Sequence, residues 1–339
     1  MNICICGGGN LGHVTAAYIA ARTDHSVSIL TRRPQQWADS LTITLPEHGQ
    51  QLTGKLHGVS SQPETVAANA DVVLLCLPAF SIRSELTALR PHIKPQTAVG
   101  SIVSNTGFFF QAMELLPKDT PLFGFQRVPF IARITEYGHK AALLGYKKEL
   151  ALAVEQTQRR EELRRLAEQL FGTPTTLLRS HYEASLSNSN PLLHPARLYS
   201  LWRNWKEGDT TDCVPLFYEQ WDYEAASLYI TMDQELHELL KLLPVATDSI
   251  PTVLDYYEST DATSLAHKLR SITAFKGLTA PMKNTAEGWI PDFQSRYFTE
   301  DFAYGLTFIH RLAHEKGVDT PTINTIYEWG MRLIKAHNQ

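Results

Sequence analysis

An α/β fold, with a parallel sheet in the first half and an all-α second half, is predicted by three features of this sequence. Residues 2–6 (NICIC) form a short apolar run able to be a buried strand, and Gly7-Gly8-Gly9-Asn10-Leu11-Gly12 follows at once. Residues 11–21 then repeat small and apolar side chains at helical spacing, and residues 27–30 supply a second apolar strand. From His181 onward strand-like runs nearly vanish and long helical patterns take over.

A strand, a glycine turn and a helix in direct succession are the setting of the Rossmann-type dinucleotide fingerprint. Gly7 would make the tight turn, Gly9 would let the backbone approach a pyrophosphate, and Gly12 would let the helix pack on the strand. The phosphates would sit on the free N–H groups of the helix start, which makes Asn10 and Leu11 cofactor-binding candidates beside the glycines. Without that context three adjacent glycines would be only a flexible turn. At the end of the second strand an NAD-binding site has an Asp or Glu for the ribose 2′-OH, whereas this chain reads Thr31-Arg32-Arg33-Pro34. Guanidinium groups suit a 2′-phosphate, so NADP(H) is favoured over NAD(H), with Arg32 or Arg33 as the clamp. The plainer alternative is two solvated arginines at a strand end.

The remaining elements follow in order. Residues 41–57 alternate loosely and contain Pro46-Glu47-His48-Gly49, which suggests a strand or hairpin excursion on one edge of the sheet. Residues 71–78 are almost purely apolar, the mark of a central strand covered on both faces, and Leu77 and Pro78 beyond its carboxyl end are candidate walls of the cofactor cleft. A helix over 81–89 leads to a strand over 97–102 that ends in Ser104-Asn105-Thr106-Gly107. Residues 121–124, 141–145, 150–154 and 175–178 read as further strands, and 157–171 as an amphipathic helix closed by Gly172. Helices are expected over 218–243, 264–272, 300–316 and 322–336, the last with Thr320 as N-cap and Pro321 at its first position. The domain boundary is placed near residue 180, giving 1–180 and 181–339.

A chain of 339 residues is long enough for two cores, and 43% apolar against 19% charged residues excludes disordered and fibrous classes. A net charge of −4 gives no support for nucleic acid as a partner. Arg159, Arg160, Arg164 and Arg165 alternate with Glu161, Glu162 and Glu168, which marks a solvated helix face. Met1 runs straight into the first strand with no secretory leader, so a cytoplasmic location is expected. The longest uncharged stretch, 95–113, is broken by polar residues and glycines, and no membrane partner is expected. The four cysteines read as small buried hydrophobes in a reducing compartment. His310 and His314 lie one helical turn apart, but the acid of the zinc protease motif and a third ligand are missing, so no metal is expected. Exposed helices in the second half leave room for a homodimer.

Two further stretches carry chemistry: Asn188-Ser189-Asn190-Pro191-Leu192-Leu193-His194-Pro195 and the run from Ser295 to Leu306 (SRYFTEDFAYGL). With the opening fingerprint, they resemble the opine dehydrogenase (octopine/nopaline dehydrogenase) family over essentially the whole chain. The family's Asn-x-x-x-His-Pro segment matches Asn190 and His194. Its Arg-Tyr-x-x-Glu-Asp-x-x-x-Gly-Leu segment matches Arg296 and Asp301, and its Leu-Pro-Tyr-x-x-Arg stretch is similar to Val128-Pro129-Phe130-Ile131-Ala132-Arg133. Where members often carry a glycine-rich segment after the fifth strand, this chain has Ser104-Asn105-Thr106-Gly107-Phe108-Phe109-Phe110, a departure that bears on the substrate pocket.

The resemblance implies reductive condensation of an amino acid amine with a 2-oxo acid, the imine being reduced by NAD(P)H. It implies His194 as acid and base, Asp301 as its orienting carboxylate and Arg296 as the fork for the oxo acid carboxylate, with Asn190 and Arg133 also toward substrate. The residue types suit these tasks: an imidazole titrates near working pH, and a guanidinium matches a carboxylate bidentately. Duller roles compete, namely a packed His194, a surface Arg296, and Thr299-Glu300-Asp301 as cap and first-turn acids of a helix. Two other functions share the plan. A simple 2-oxo acid or ketopantoate-like reductase would rely on Lys and Glu rather than His, Arg and Asp, and a non-catalytic NADP(H)-binding sensor would need none of them.

Overall fold

The computed structural model describes residues 1–47, 49–104 and 107–337. His48 of the Pro46–Gly49 segment, and Asn105 and Thr106 of the segment after the fifth strand, lie outside the described residues. The chain divides into two units, Met1–Ser187 and Asn188–Gln339. The short helix His181–Leu186 therefore groups with the first unit.

In the first unit an eight-stranded sheet has the order Thr175–Leu177, Leu150–Glu155, Leu122–Phe125, Ala98–Ser101, Val72–Leu75, Asn2–Cys6, Ser26–Leu30, Gly58–Ser60. The last six of these run parallel, while Leu150–Glu155 is antiparallel to Leu122–Phe125. Val72–Leu75 and Ala98–Ser101 are buried at every position, as strands covered on both faces must be. The first strand lies between Val72–Leu75 and Ser26–Leu30, the point where the order of connection reverses, so the crevice beyond its carboxyl end opens at Gly7.

The hairpin expected on an edge of this sheet is elsewhere. Ser40–Thr44 and Gln51–Lys55 pair with each other and then, through Ser40–Thr44, with Lys140–Tyr146, which in turn pairs with Phe130–Glu136 in a separate four-stranded sheet. The reason is the helix Asn10–Arg22, which is buried at every position from Gly12 to Ile19. A helix apolar all round needs cover on both sides, and the second sheet supplies the second cover. Phe130–Glu136 was legible only as part of a motif; as a strand it buries Phe130 and then alternates exposed with half-buried positions up to Thr135.

The turn between first strand and helix is held by contacts no side chain could share. Gly7 has φ +121°, and a Cβ there would stand 2.5 Å from the Cys76 carbonyl oxygen. A Cβ on Gly12 would run into the carbonyl oxygen of Gly7. Behind the turn, His13 Nδ1 donates to the Gly9 carbonyl at 3.0 Å and Nε2 accepts the Gly138 N–H at 2.7 Å, with the ring on Trp37 at 4.1 Å between centroids. This arrangement requires a neutral imidazole, and burial lowers the His13 titration below its ordinary 6.5.

The second unit contains the helices Asn190–Trp202, Tyr223–Leu240, Ala262–Ser271, Tyr297–Leu306 continuing into Thr307–Lys316, and Pro321–His337, with one hairpin, Met282–Thr285 and Gly288–Pro291. The first of these was hidden by its prolines. Pro191 falls in the first turn, where its missing N–H costs nothing, and only Pro195 lies in the interior. The helix expected from 218 starts at Tyr223, because Asp222 caps it by accepting the Ala225 N–H at 2.7 Å; residues 217–220 are a turn. Pro321 begins the last helix as its sequence signals, yet Thr320 is not the side-chain cap. Its hydroxyl donates to Asn324 Oδ1, and the N–H groups of Thr322 and Ile323 are taken by the buried Glu235 carboxylate at 2.8 and 2.9 Å. Among the described residues no helix is long and apolar enough to cross a membrane.

Two outcomes are expected. Gly12→Ala, a change that ordinarily stabilises a helix by about 1 kcal/mol, should here destabilise by about 1–3 kcal/mol and weaken nucleotide binding, as read by thermal melting and fluorescence titration. Because His13 titrates lower folded than unfolded, the unfolded chain binds more protons below 6.5, so stability is lost as pH falls through that value. Melting temperature should drop between pH 7 and 5, and His13→Asn should flatten that slope while lowering stability throughout; an unchanged slope would remove His13 from the account.

Candidate active site

In the first unit a cleft of about 680 Å³ opens beyond the first strand, lined by Gly7, Gly9, Arg32, Arg33, Leu77 and Pro78 among others. A Cβ on Gly9 would meet no atom within 4 Å, so the loop leaves open space where a phosphate would approach. Gly9 precedes the helix without any side-chain cap, so its first-turn N–H groups take no cap bond from a side chain among the described residues. Asn10 and Leu11 stand in that turn, but the Asn10 side chain is committed, its Oδ1 accepting the Ile134 N–H at 2.8 Å. These features fit a dinucleotide.

The two arginines differ. The Arg33 guanidinium lies over the Tyr137 ring at 5.6 Å, while Arg32, also exposed, has no hydrogen-bond or ion-pair partner among the described residues. The cleft also contains a carboxylate the sequence did not suggest, Glu85 on the helix Ala79–Leu89. Burial raises the Glu85 titration and the charge of Arg32 opposes that rise.

In the second unit His194 and Asp301, 107 residues apart, meet: His194 Nδ1 bonds Asp301 Oδ2 at 2.7 Å. His194 is buried, one turn into Asn190–Trp202, and Asp301 lies in Tyr297–Leu306. Gly305 explains how the two helices come so close, since a Cβ there would stand 2.5 Å from Pro191 Cγ. The remaining nitrogen is engaged too, with His194 Nε2 3.1 Å from the Tyr218 hydroxyl. With Nδ1–H donating to the carboxylate, a neutral ring accepts the Tyr218 O–H at Nε2. Tyr297 covers one side of the imidazole edge-on, with 4.5 Å between ring centroids.

The segment Tyr297–Leu306 is wound as a π-helix, with i→i+5 bonding. Residues five apart then share a face, which an α-helix would turn away from each other, and this gives the Arg296/Asp301 spacing its physical meaning. Arg296 is brought near Asp301, whose charge it feels, but its direct partner is Glu300 at 2.6 Å and its side chain is 84% exposed. Thr299 is not a helix cap; its hydroxyl donates to the Ser295 carbonyl. Asn190 is exposed at the start of the His194 helix, and Arg133 is an exposed residue of Phe130–Glu136 in the first unit. His310 stacks on Tyr327 at 4.1 Å, a packing contact.

Tyr218 and Arg197 were not singled out in the sequence, where Tyr218 reads only as the start of a helix, and Tyr297 appears there only as part of the Arg-Tyr-x-x-Glu-Asp motif. Arg197 carried one available signal, a charge three residues beyond His194 on an otherwise apolar helix face. It is 1% exposed, and it donates to the carbonyls of Phe217 and Gln220 at 3.1 and 2.7 Å and to Asp222 at 2.8 Å. These bonds clamp the turn that presents Tyr218.

Comparison with known proteins agrees with this layout. Residues 177–334 match the family model described as NAD/NADP octopine/nopaline dehydrogenase, alpha-helical domain, and residues 3–118 match that of ketopantoate reductase PanE/ApbA. The chain is 30% identical to an opine dehydrogenase of Haliotis discus hannai, over 98% of this chain and 90% of that one. It is 29% identical to a tauropine dehydrogenase of Arabella iricolor, over 98% and 91% of the two chains. A solved octopine dehydrogenase structure with NADH and L-arginine superposes with a TM-score of 0.86 at 26% identity, covering 99% of this chain and 90% of that one. On the strength of a resemblance that runs the length of both chains, this protein belongs to the opine dehydrogenase family of NAD/NADP-linked oxidoreductases.

Proposed function

We propose that this chain joins the amine of an amino acid to the carbonyl of a 2-oxo acid and reduces the resulting imine, with His194 as acid and base, Asp301 as its orienting partner and NADPH as the preferred reductant. The observation that carries the assignment of roles is the 2.7 Å bond between His194 and Asp301. A carboxylate on Nδ1 fixes the tautomer and stabilises the imidazolium that forms when the ring takes a proton. As the amine adds to the carbonyl carbon, the oxygen takes protons and leaves as water; the imine carbon then accepts a hydride and the nitrogen keeps a proton, giving a secondary amine. Reduced nicotinamide, when bound, supplies the hydride. Arg296, set on the same helical face as Asp301, is the fork for the oxo acid carboxylate, exchanging Glu300 for substrate. Asn190 and Arg133 are assigned to substrate as well.

The preference for NADPH rests on Arg32, which has no hydrogen-bond or ion-pair partner among the described residues and stands at the strand end where an NAD site has an acid. A second reading, a reductase of 2-oxo acids alone, draws on the ketopantoate reductase match, but that match covers only residues 3–118 and none of the His194 helix.

The test follows NADPH absorbance and product mass with pyruvate and related acids against a panel of amino acids. Oxidation should require both partners and yield a mass equal to their condensation product plus two hydrogens. Oxidation with oxo acid alone, indifferent to amine, would establish the second reading. His194→Asn and Asp301→Asn should each lower kcat by about 10²–10⁴-fold with nucleotide affinity unchanged. If wild type and both variants are equally inert with every pair yet bind nucleotide, the chain is a sensor. Arg32→Ala should weaken NADPH about 10–100-fold, the loss of a charge-assisted contact of about 1.5–3 kcal/mol, and leave NADH within a few-fold; equal losses for both nucleotides would refute the assigned preference.

A further inference from the structure

We infer that the proton exchanged between His194 and substrate passes through the hydroxyl of Tyr218, making this tyrosine a second catalytic residue. The inference rests on the role proposed for His194. Both nitrogens of that imidazole are engaged within the second unit, Nδ1 by Asp301 at 2.7 Å and Nε2 by Tyr218 at 3.1 Å. The ring therefore has no free nitrogen to offer a substrate oxygen. A hydroxyl both donates and accepts, so it can take the Nε2 proton while giving up its own.

Tyr218 is also held as a fixed reactive group is held. Its ring stacks on Phe275, with centroids 4.1 Å apart and planes 20° from parallel, and on Trp221. The turn that carries it is clamped on both sides of the tyrosine by Arg197, which donates to the Phe217 and Gln220 carbonyls from the helix that bears His194. Imidazole and phenol thus share one rigid support, and neither moves without breaking buried hydrogen bonds.

In the reducing direction the proton on Nε2 moves to Tyr218 Oη as the phenolic proton moves to the departing carbinolamine oxygen, whose bond to carbon breaks to release water. In the oxidising direction both protons travel back. The tyrosine begins and ends as a neutral phenol. Burial, with Tyr297, Tyr257 and Asp301 nearby, disfavours a phenolate, in keeping with a tyrosine that gains one proton as it gives up the other.

The experiment compares Tyr218→Phe, His194→Asn and full-length protein with 3-fluorotyrosine at position 218, which has nearly the same shape and a more acidic hydroxyl. Tyr218→Phe should lower kcat by about 100-fold or more while KM for NADPH and melting temperature stay close to wild type. The fluorotyrosine protein should keep activity but shift its pH profile and alter the solvent deuterium isotope effect, readouts that a packing role would not move. If Tyr218→Phe is within threefold of wild type while His194→Asn is dead, the relay is wrong and the reading of His194 stands. If His194→Asn is active, both fall together. Should Tyr218→Phe fail to fold, the fluorotyrosine protein decides alone: an unchanged profile and isotope effect overturn the relay.

Discussion

The second unit depends on how closely the π-wound segment Tyr297–Leu306 can approach the helix Asn190–Trp202. Packed helices ordinarily keep their axes about 8–10 Å apart, with side chains filling the gap. Here the gap is closed by Gly305 against Pro191, positions lying one turn beyond Asp301 and one turn before His194. Any side chain at 305 would push the helices apart, and a hydrogen bond of 2.7 Å tolerates little of that. The winding matters as much as the distance. With i→i+5 bonding the face that meets His194 can also carry Arg296 at its edge, so one local departure from α-helical geometry serves the hydrogen-bonded His194–Asp301 pair and the neighbouring guanidinium together.

A buried guanidinium is an expensive way to hold a turn, because an ion removed from water must recover its hydration from protein groups. Arg197 does so through two carbonyls, the Asp222 carboxylate and the face of Trp221 at 5.8 Å. Those same bonds define residues 217–222, and Asp222 goes on to cap the helix Tyr223–Leu240. A hydrophobic residue of similar volume could fill the space but could not fix the carbonyls on either side of Tyr218. The charge is tolerated for geometry rather than for net stability.

The two units were unequally legible in the sequence. The nucleotide loop depends on contacts within a dozen residues, Gly7 to Gly12, so its steric logic is written locally, and the parallel strands announce themselves by burial on both faces. The second sheet was not legible, because the partner of Ser40–Thr44 lies about a hundred residues later and half-buried alternation says only that some sheet exists. The pairing of His194 with Asp301 was anticipated through a family motif, not through physics visible in the chain. Tyr218 was misplaced onto a helix, since the apolar periodicity runs through residues 218–222 and only the cap at Asp222 shows where the helix starts. Prolines 191 and 195 hid the helix that matters most; Pro191 is at home in the first turn, and only the interior Pro195 is a case of tertiary packing overriding local propensity.

Nucleotide choice turns on a smaller asymmetry. Arg33 lies over the face of Tyr137, whereas Arg32, with no ion-pair partner among the described residues, acts on Glu85 in the same cleft through its charge. A ribose 2′-OH offers one weak acceptor to such a group and leaves that balance as it is. A 2′-phosphate offers several charged acceptors, but it also brings negative charge toward Glu85, whose carboxylate is already disfavoured by burial. Attraction to one guanidinium would thus be partly offset by repulsion from one carboxylate, which holds any preference for the phosphorylated nucleotide to the lower end of what a charge-assisted clamp can supply. Substituting Glu85 rather than adding a second arginine is the shorter route to a sharper discrimination, because it removes the opposing charge without requiring any new side chain to be positioned.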